Sequence, residues 1–142
     1  MKENIICSGA LFYCTSTKRF LFLQRTDTKT KGTWGLVGGQ SHTKESAFEG
    51  LKREISEEVG QTPVFKKVIP LELFTSNDQK FFFHTYLIAI DIEFIPQLNK
   101  EHSGYCWCAF ECWPKNLHGG LRNTLNNKSI KGKLQTILDL IV

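Results

Sequence analysis

The sequence lacks the features of a membrane protein and those of a secreted scaffold. It has no apolar run long enough to cross a bilayer, and Met1-Lys2-Glu3-Asn4 leads into a strand-like segment without a signal-peptide pattern. Its five cysteines would leave one thiol unpaired in any full disulfide scheme, which argues against a disulfide-rich scaffold. We therefore expect a soluble, cytoplasmic protein.

The cysteines also lack the spacing of a zinc site. Cys106, Cys108 and Cys112, with His118, are the candidate ligands, but the two-residue gap typical of zinc knuckles is absent. Cys106-Trp107-Cys108 alternates like a β-strand, which places both thiols on one face. We interpret these cysteines as buried or half-buried thiols.

Charge is only mildly unbalanced, and no basic stripe is present. Lys and Arg number 18 and Asp and Glu number 14, for a net charge of +4. This excess suits a small anionic ligand and makes nucleic acid an unexpected partner. A length of 142 residues fits one domain, residues 1–142, which should bury roughly two thirds of its unfolded surface.

Apolar and aromatic segments separated by polar turns predict a series of β-strands and two helices. The final helix is predicted to begin at Ser129, its candidate N-cap, and Pro114 to Gly120 to be irregular. Strands around one central amphipathic helix, closed by a second helix, predict a mixed α/β (α+β) fold with a helix on each face of the sheet. The predicted strands are 5–15, 20–25, 34–37, 64–74 with an interruption at Pro70, 80–94, and one that begins near Tyr105.

The segment from Gly38 to Gly60 carries the strongest signal in the chain. It reads as a glycine turn, a helix of about four turns and a glycine stop. Glu54, Glu57 and Glu58 crowd one side of this helix near its C-terminal end, where the helix dipole disfavours anions. A hard divalent cation such as Mg²⁺ or Mn²⁺ would relieve this repulsion; the alternative is an ordinary solvated acidic face.

The spacing of this segment resembles the signature of a known family. Gly39, Glu45 and the run Arg53-Glu54-Ile55-Ser56-Glu57-Glu58-Val59-Gly60 match the Nudix box of the Nudix (MutT-like) hydrolases. Every charged position and both glycines of that box are present. Gln61 replaces the usual aliphatic residue, Val37 a common proline, and Lys44 a usual glycine.

The resemblance implies an alpha/beta/alpha sandwich and a reaction. Nudix enzymes hydrolyse a nucleoside diphosphate linked to a group X by attack of water at phosphorus, with Mg²⁺ or Mn²⁺ as the cofactor. The candidate substrates are a (d)NTP, a nucleotide sugar, ADP-ribose or a dinucleoside polyphosphate. By resemblance, the metal ligands are the Gly39 carbonyl, Glu54, Glu57 and Glu58. Glu54 is also a candidate base, and Glu45 and Arg53 support the site.

Four residues outside the box are further candidates. Arg25 ends a strand beside the glycine loop, and the family resemblance implies that it binds phosphate; the alternative is a surface arginine. Asn127 loosely resembles a base-reading asparagine of MutT-like members, but it also suits a helix start. Glu101 is predicted to add a metal ligand, and His102 to act as a base, as a loop histidine does in nucleotide-sugar hydrolases of the GDP-mannose type. The alternative is a solvated Glu-His pair.

Two other kinds of function remain open from the sequence. One is a Nudix-fold module that binds a nucleotide without cleaving it, which the complete set of box glutamates disfavours. The other is a nucleic-acid or protein interaction domain, for which the sequence offers little. A small nucleotide is the expected partner, and a homodimer is left open.

Overall fold

A computed structural model describes residues 4–141, which form a mixed sheet flanked by helices. Met1 to Glu3, on which the prediction of a chain without a signal peptide partly rests, lie outside this range. In chain order the elements are β1 (Ile5–Cys14), β2 (Arg19–Arg25), β3 (Trp34–Gly35), β4 (Val37–Gln40), α1 (Ala47–Val59), β5 (Lys67–Thr75), β6 (Phe81–Ile90), β7 (His102–Ala109), α2 (Gly119–Asn126) and α3 (Lys128–Leu140).

The seven-stranded sheet is mixed, as predicted, because one strand pair is parallel. The order β3-β2-β1-β6-β5 forms its main path, while β4 pairs with β1 and β7 pairs with β2. β1 and β6 run parallel, and the other pairs are antiparallel. Pro70 lies in β5, the last strand of this path, where the register with β6 shifts between Pro70 and Glu72. The interruption predicted at Pro70 is therefore a bulge in an edge strand, where proline costs no ladder hydrogen bond to a second neighbour.

Alternation along β1 divides the core into two layers. Ala10, Phe12 and Cys14 pack on the side of α1, whereas Leu11 and Tyr13 pack on the side of α2 and α3. Successive strand residues point to opposite faces, so an unbroken apolar strand fits only a sheet covered on both sides. The predicted alpha/beta/alpha sandwich is confirmed.

Local signals account for the position of α1. Ser46 caps the helix: its side chain accepts a hydrogen bond from the Glu49 N–H, and the Glu49 carboxylate accepts one from the Ser46 N–H. Leu51, Ile55 and Val59, spaced four residues apart, are buried against the sheet. Gly60 ends the helix with a φ of 78°, a conformation that favours glycine.

The C-terminal region differs from the sequence prediction. Gly119–Asn126 forms α2, where the sequence predicted an irregular piece, and it buries Leu121 and Leu125. The N-cap of α3 is Asn127, not Ser129, because the Asn127 side chain accepts hydrogen bonds from the N–H groups of Ser129 and Ile130. Asn and Ser cap helices about equally well, so the choice between them depends on where α2 ends.

Two strand boundaries also differ. The strand predicted over 34–37 is split into β3, which pairs with β2, and β4, which pairs with β1. The strand predicted over 80–94 ends at Ile90. Among the helices formed by residues 4–141, none combines the length and the hydrophobicity needed to cross a membrane.

Candidate active site

Three glutamates of α1 lie close in sequence but differ in exposure. The side chain of Glu57 is 54% exposed and that of Glu54 only 15%. Glu58 is buried. The three carboxylates therefore do not share one solvated face, and the interpretation of α1 as a plain acidic surface helix is wrong for Glu58.

Arg53 holds two of these glutamates in position. Its Nη1 donates to Glu54 at 2.9 Å and to Glu57 at 3.2 Å. Its Nε donates to Glu45 at 2.9 Å, and its Nη2 donates to the Gln40 carbonyl at 3.0 Å. The planar guanidinium thus joins the start of the helix, its carboxylate face and the end of β4. Glu45 and Arg53 are thus bonded to each other beside the carboxylates, and their supporting roles stay a prediction.

The glycine pair of β4 comes into close contact with the helix. The Gly38 N–H donates to the Glu58 carboxylate at 2.9 Å. A Cβ atom built on Gly39 would lie 2.6 Å from Cδ of Glu54, so a side chain there would displace the end of the Glu54 side chain. Backbone and carboxylates therefore converge at one point, because glycine permits the approach.

A loop before β7 brings two further residues to this point. Asn99 donates from Nδ2 to the Glu57 carbonyl at 3.0 Å and accepts the Glu101 N–H at 2.9 Å. This bridge places Glu101 and His102 beside the end of α1. The sequence analysis missed Asn99, since no local pattern marks an asparagine that joins elements 42 residues apart.

Glu58, Glu101 and His102 form a cluster of potential metal ligands. One ligand atom of each lies within 4.8 Å of those of the other two. Burial raises the pKa of Glu58 to about 9; the Gly38 N–H opposes this shift, while the charges of Glu54 and Glu101 add to it. Burial lowers the pKa of His102, so its imidazole is neutral near pH 7 and free to accept a proton or bind a metal ion.

The residues of this site fit a divalent metal ion. Carboxylate oxygens dominate the donor set, and an imidazole lies at its edge. His102 is about nine-tenths buried, and its Nδ1 finds no hydrogen-bond partner in the described chain. A buried imidazole with an unpartnered nitrogen, close to two carboxyl groups, has the chemistry that a bound cation would satisfy.

The two predicted substrate-binding residues have partners of their own. Arg25 donates from Nε to Asp27 at 3.0 Å and to Thr30 at 2.9 Å. Asn127 caps α3 with its side-chain oxygen and lines a cavity of about 590 Å³ between β5, β6 and the start of α3. Thr85 also lines this cavity and pairs with Gly9, which pairs with Gly38, so the Cα atoms of Thr85 and Gly38 lie roughly 10 Å apart at ordinary strand spacing.

The cysteines are free thiols, but the prediction of buried or half-buried thiols is wrong for Cys112, which is exposed beyond the end of β7. All five are unpaired. The Sγ atoms of Cys106 and Cys108 lie 3.6 Å apart on one face of β7, and burial raises the pKa of Cys106 to about 12. Within the described range, no group of potential metal ligands includes a cysteine.

Comparison with known proteins agrees with this geometry. The NUDIX domain family profile matches residues 7–127, well over half of the chain. No curated protein sequence matches this chain.

Several solved structures share the fold. The MutT NUDIX hydrolase from Burkholderia pseudomallei is 22% identical, with a TM-score of 0.71 over 89% of this chain and 99% of the other. The Ap4A hydrolase of C. elegans is 20% identical, with a TM-score of 0.70 over 94% and 98% of the two chains. The NUDIX domain of Shewanella oneidensis NrtR, solved with ADP ribose, is 17% identical, with a TM-score of 0.61 over 77% and 75%.

Proposed function

This chain belongs to the NUDIX domain family as a Nudix pyrophosphohydrolase, and from that premise we propose that it hydrolyses a nucleoside diphosphate linked to a group X. The observation that carries the proposal is the approach of Glu54 and Glu58 to the Gly38–Gly39 backbone, with Arg53 bound to Glu54 and to Glu57. A solvated helix face would need no such support.

We propose Mg²⁺, with Mn²⁺ as a substitute, as the cofactor. The Gly39 carbonyl, Glu54, Glu57, Glu58 and Glu101 would hold it. A divalent ion bound there supplies positive charge against the phosphoryl oxygens and makes water a better nucleophile. The buried carboxylate of Glu58 would then lie on the protein side of the ion. The half-exposed carboxylate of Glu57 would lie on the solvent side.

The chain's own residues position the reactants. Arg53 fixes the rotamers of Glu54 and Glu57, so that neither carboxylate has to be ordered when substrate binds. Two side chains are candidates for the general base: Glu54, whose carboxylate lies against Gly39, and His102, whose imidazole is neutral near pH 7.

The substrate would extend from Gly38 and Gly39 in β4 across the sheet. We propose that Asn127 contacts the nucleoside or the group X, because it lines the cavity that begins two strands from Gly38. Arg25 would bind phosphate by exchanging its hydrogen bond with Asp27 for a phosphoryl oxygen. Other Nudix proteins act on Ap4A or bind ADP ribose, so both ligands belong among the candidates.

The domain organisation of the chain and its location in the cell are also proposals. We propose that residues 1–142 form one domain, because both core layers share the same sheet. Five unpaired thiols suit the reducing cytoplasm. Cell fractionation of the tagged chain tests this location, and recovery of the protein outside the cytoplasm would refute it.

The experiment that tests the function is a hydrolysis screen. The purified protein is incubated with Mg²⁺ and with (d)NTPs, nucleotide sugars, ADP-ribose and dinucleoside polyphosphates, while release of nucleoside monophosphate and phosphate is followed. In ¹⁸O-water the label should enter a phosphate product. Tight binding without turnover would instead identify a nucleotide-binding module, and label on the sugar would contradict attack at phosphorus.

A further inference from the structure

The glutamates of the site differ in whether a positively charged side chain pairs with them. Arg53 forms ion pairs with Glu45, Glu54 and Glu57 and leaves Glu58 without one. Within residues 4–141, no lysine or arginine forms an ion pair with Glu58 or Glu101. Two neighbouring carboxylates, one of them buried, thus face each other beside His102.

The hydrogen bonds of Glu58 restrict how it can meet a cation. One of its oxygens accepts the Gly38 N–H at 2.9 Å. That bond fixes the carboxyl group of Glu58, and a hydrogen bond with Glu101 contributes to its raised pKa. Glu101 approaches from the loop held by Asn99, so the two carboxylates come from different elements.

His102 completes this arrangement with a nitrogen donor. Its ring is about nine-tenths buried, Nδ1 has no hydrogen-bond partner among the described residues, and one ring nitrogen lies within 4.8 Å of an oxygen of each carboxylate. A general base has to reach a water molecule, whereas a metal ligand needs only to reach the ion. Burial beside two carboxylates therefore favours coordination over proton transfer.

We propose that His102 binds the metal ion directly, together with Glu58 and Glu101. The inference rests on the metal-dependent function proposed above and assigns the imidazole a role that differs from that of a base. An imidazole among the ligands should make Mn²⁺ or Co²⁺ bind more tightly than Mg²⁺, which prefers an all-oxygen shell, so Mn²⁺ would be the tighter-binding substitute for the Mg²⁺ proposed above. Glu54 is then left as the general base.

Electron spin echo spectroscopy of bound Mn²⁺ tests this directly, without substrate. A histidine nitrogen bound to Mn²⁺ should give ¹⁴N modulation in the wild-type protein. Labelling only histidine with ¹⁵N should remove that ¹⁴N modulation. Absence of modulation with Mn²⁺ stoichiometrically bound, or modulation that survives the labelling, would overturn the proposal.

Variants assign the signal to one of the four histidines. His102→Gln should abolish the modulation and lower the affinity for Mn²⁺ by about tenfold or more, while Mg²⁺ affinity changes less. His118→Gln is the matched control, since His118 is also partly buried but lies outside the cluster. If His102→Gln fails to fold, the other three histidines are replaced in turn. A signal that persists in His42→Gln, in His84→Gln and in His118→Gln is assigned to His102 by elimination. Loss in one of those three would overturn the proposal.

Failure of the function and failure of this inference give different results. Hydrolysis with Mg²⁺ but no ¹⁴N modulation with Mn²⁺ would retain the function and reject the nitrogen ligand. Modulation from His102 without turnover of any nucleotide would retain the ligand and reject the hydrolase. Normal Mn²⁺ binding in His102→Gln, together with an altered pH profile of hydrolysis, would make His102 a base and overturn the inference.

Discussion

The carboxylate of Glu58 accepts a hydrogen bond of 2.9 Å from the backbone N–H of Gly38, twenty residues earlier in the chain. The bond joins the last turn of α1 to β4, the strand that contains Gly38 and Gly39. It also removes the Glu58 side chain from solvent, unlike that of Glu57 one residue before. The predictions below depend on this difference between neighbouring glutamates.

Replacing Glu57 with Gln should abolish hydrolysis while leaving the fold intact. The change removes an anionic ligand at nearly constant volume from a side chain that is 54% exposed, so the turnover number should fall by orders of magnitude. Glu111→Gln is the matched control, since its side chain is 53% exposed and also ion-paired. Steady-state kinetics at saturating Mg²⁺ measures both. Near-normal turnover in Glu57→Gln and in Glu58→Gln would refute the metal assignment.

Glu58 should make the metal-free protein less stable as the pH rises. Its pKa is about 9 in the folded chain and near 4.5 when unfolded, so between these values the folded state binds more protons than the unfolded state. The contribution of Glu58 is fully present below pH 4.5 and is lost as the pH passes 9, with a slope of at most about 1.4 kcal/mol per pH unit.

Urea unfolding of wild type and Glu58→Gln in EDTA, from pH 5 to 9, measures this slope. The free energy of unfolding of the wild type should fall more steeply with pH, and the difference should shrink in saturating Mg²⁺, since the ion replaces the proton. Parallel curves for the two proteins in EDTA would show that Glu58 ionises normally.

Gly39→Ala should impair activity more than stability. The added Cβ would lie 2.6 Å from Cδ of Glu54, and the end of that flexible side chain must move away. A displacement of about 1 Å at a catalytic group costs on the order of a hundredfold in rate. Mg²⁺ titration, kinetics and thermal unfolding separate the two effects.

Gly132→Ala in α3 provides the control for Gly39→Ala. An added Cβ there meets nothing within 4 Å, so activity should be unchanged and stability should rise by up to about 1 kcal/mol. If Gly39→Ala retained full activity, the Glu54 carboxylate would not depend on contact with the glycine loop.

Arg53→Lys should lower the turnover number by about tenfold to a hundredfold, with a smaller change in KM. A lysine ammonium lacks the planar fork that binds Glu45, Glu54 and the Gln40 carbonyl together. Arg122→Lys is the control, because among residues 4–141 the side chain of Arg122 donates to a single acceptor, the Leu117 carbonyl, at 3.3 Å. Equal kinetics for wild type and Arg53→Lys would mean that the glutamates keep their positions without the fork.

Features that depend on local sequence patterns were predicted correctly. The family, the sandwich fold, the central helix and an irregularity of the strand at Pro70 are confirmed. Helix α2 was missed because its first two residues are glycines and only Leu121 and Leu125 mark its buried side. The cap at Ser129 was wrong for a related reason: Asn127 holds it, since α2 ends just before. That Glu101 binds metal and that His102 acts as a base stay predictions.

The sequence by itself determined that Glu54, Glu57 and Glu58 lie near one another, because a helical period of 3.6 residues brings positions three and four apart together. Only the tertiary structure decided that Glu58 is buried under Gly38 while Glu57 remains half exposed. It also decided that Glu101 and His102 lie beside Glu58, through a loop fastened to α1 by Asn99. Periodicity depends on neighbouring residues alone, whereas burial and contacts between distant segments depend on how the whole sheet packs.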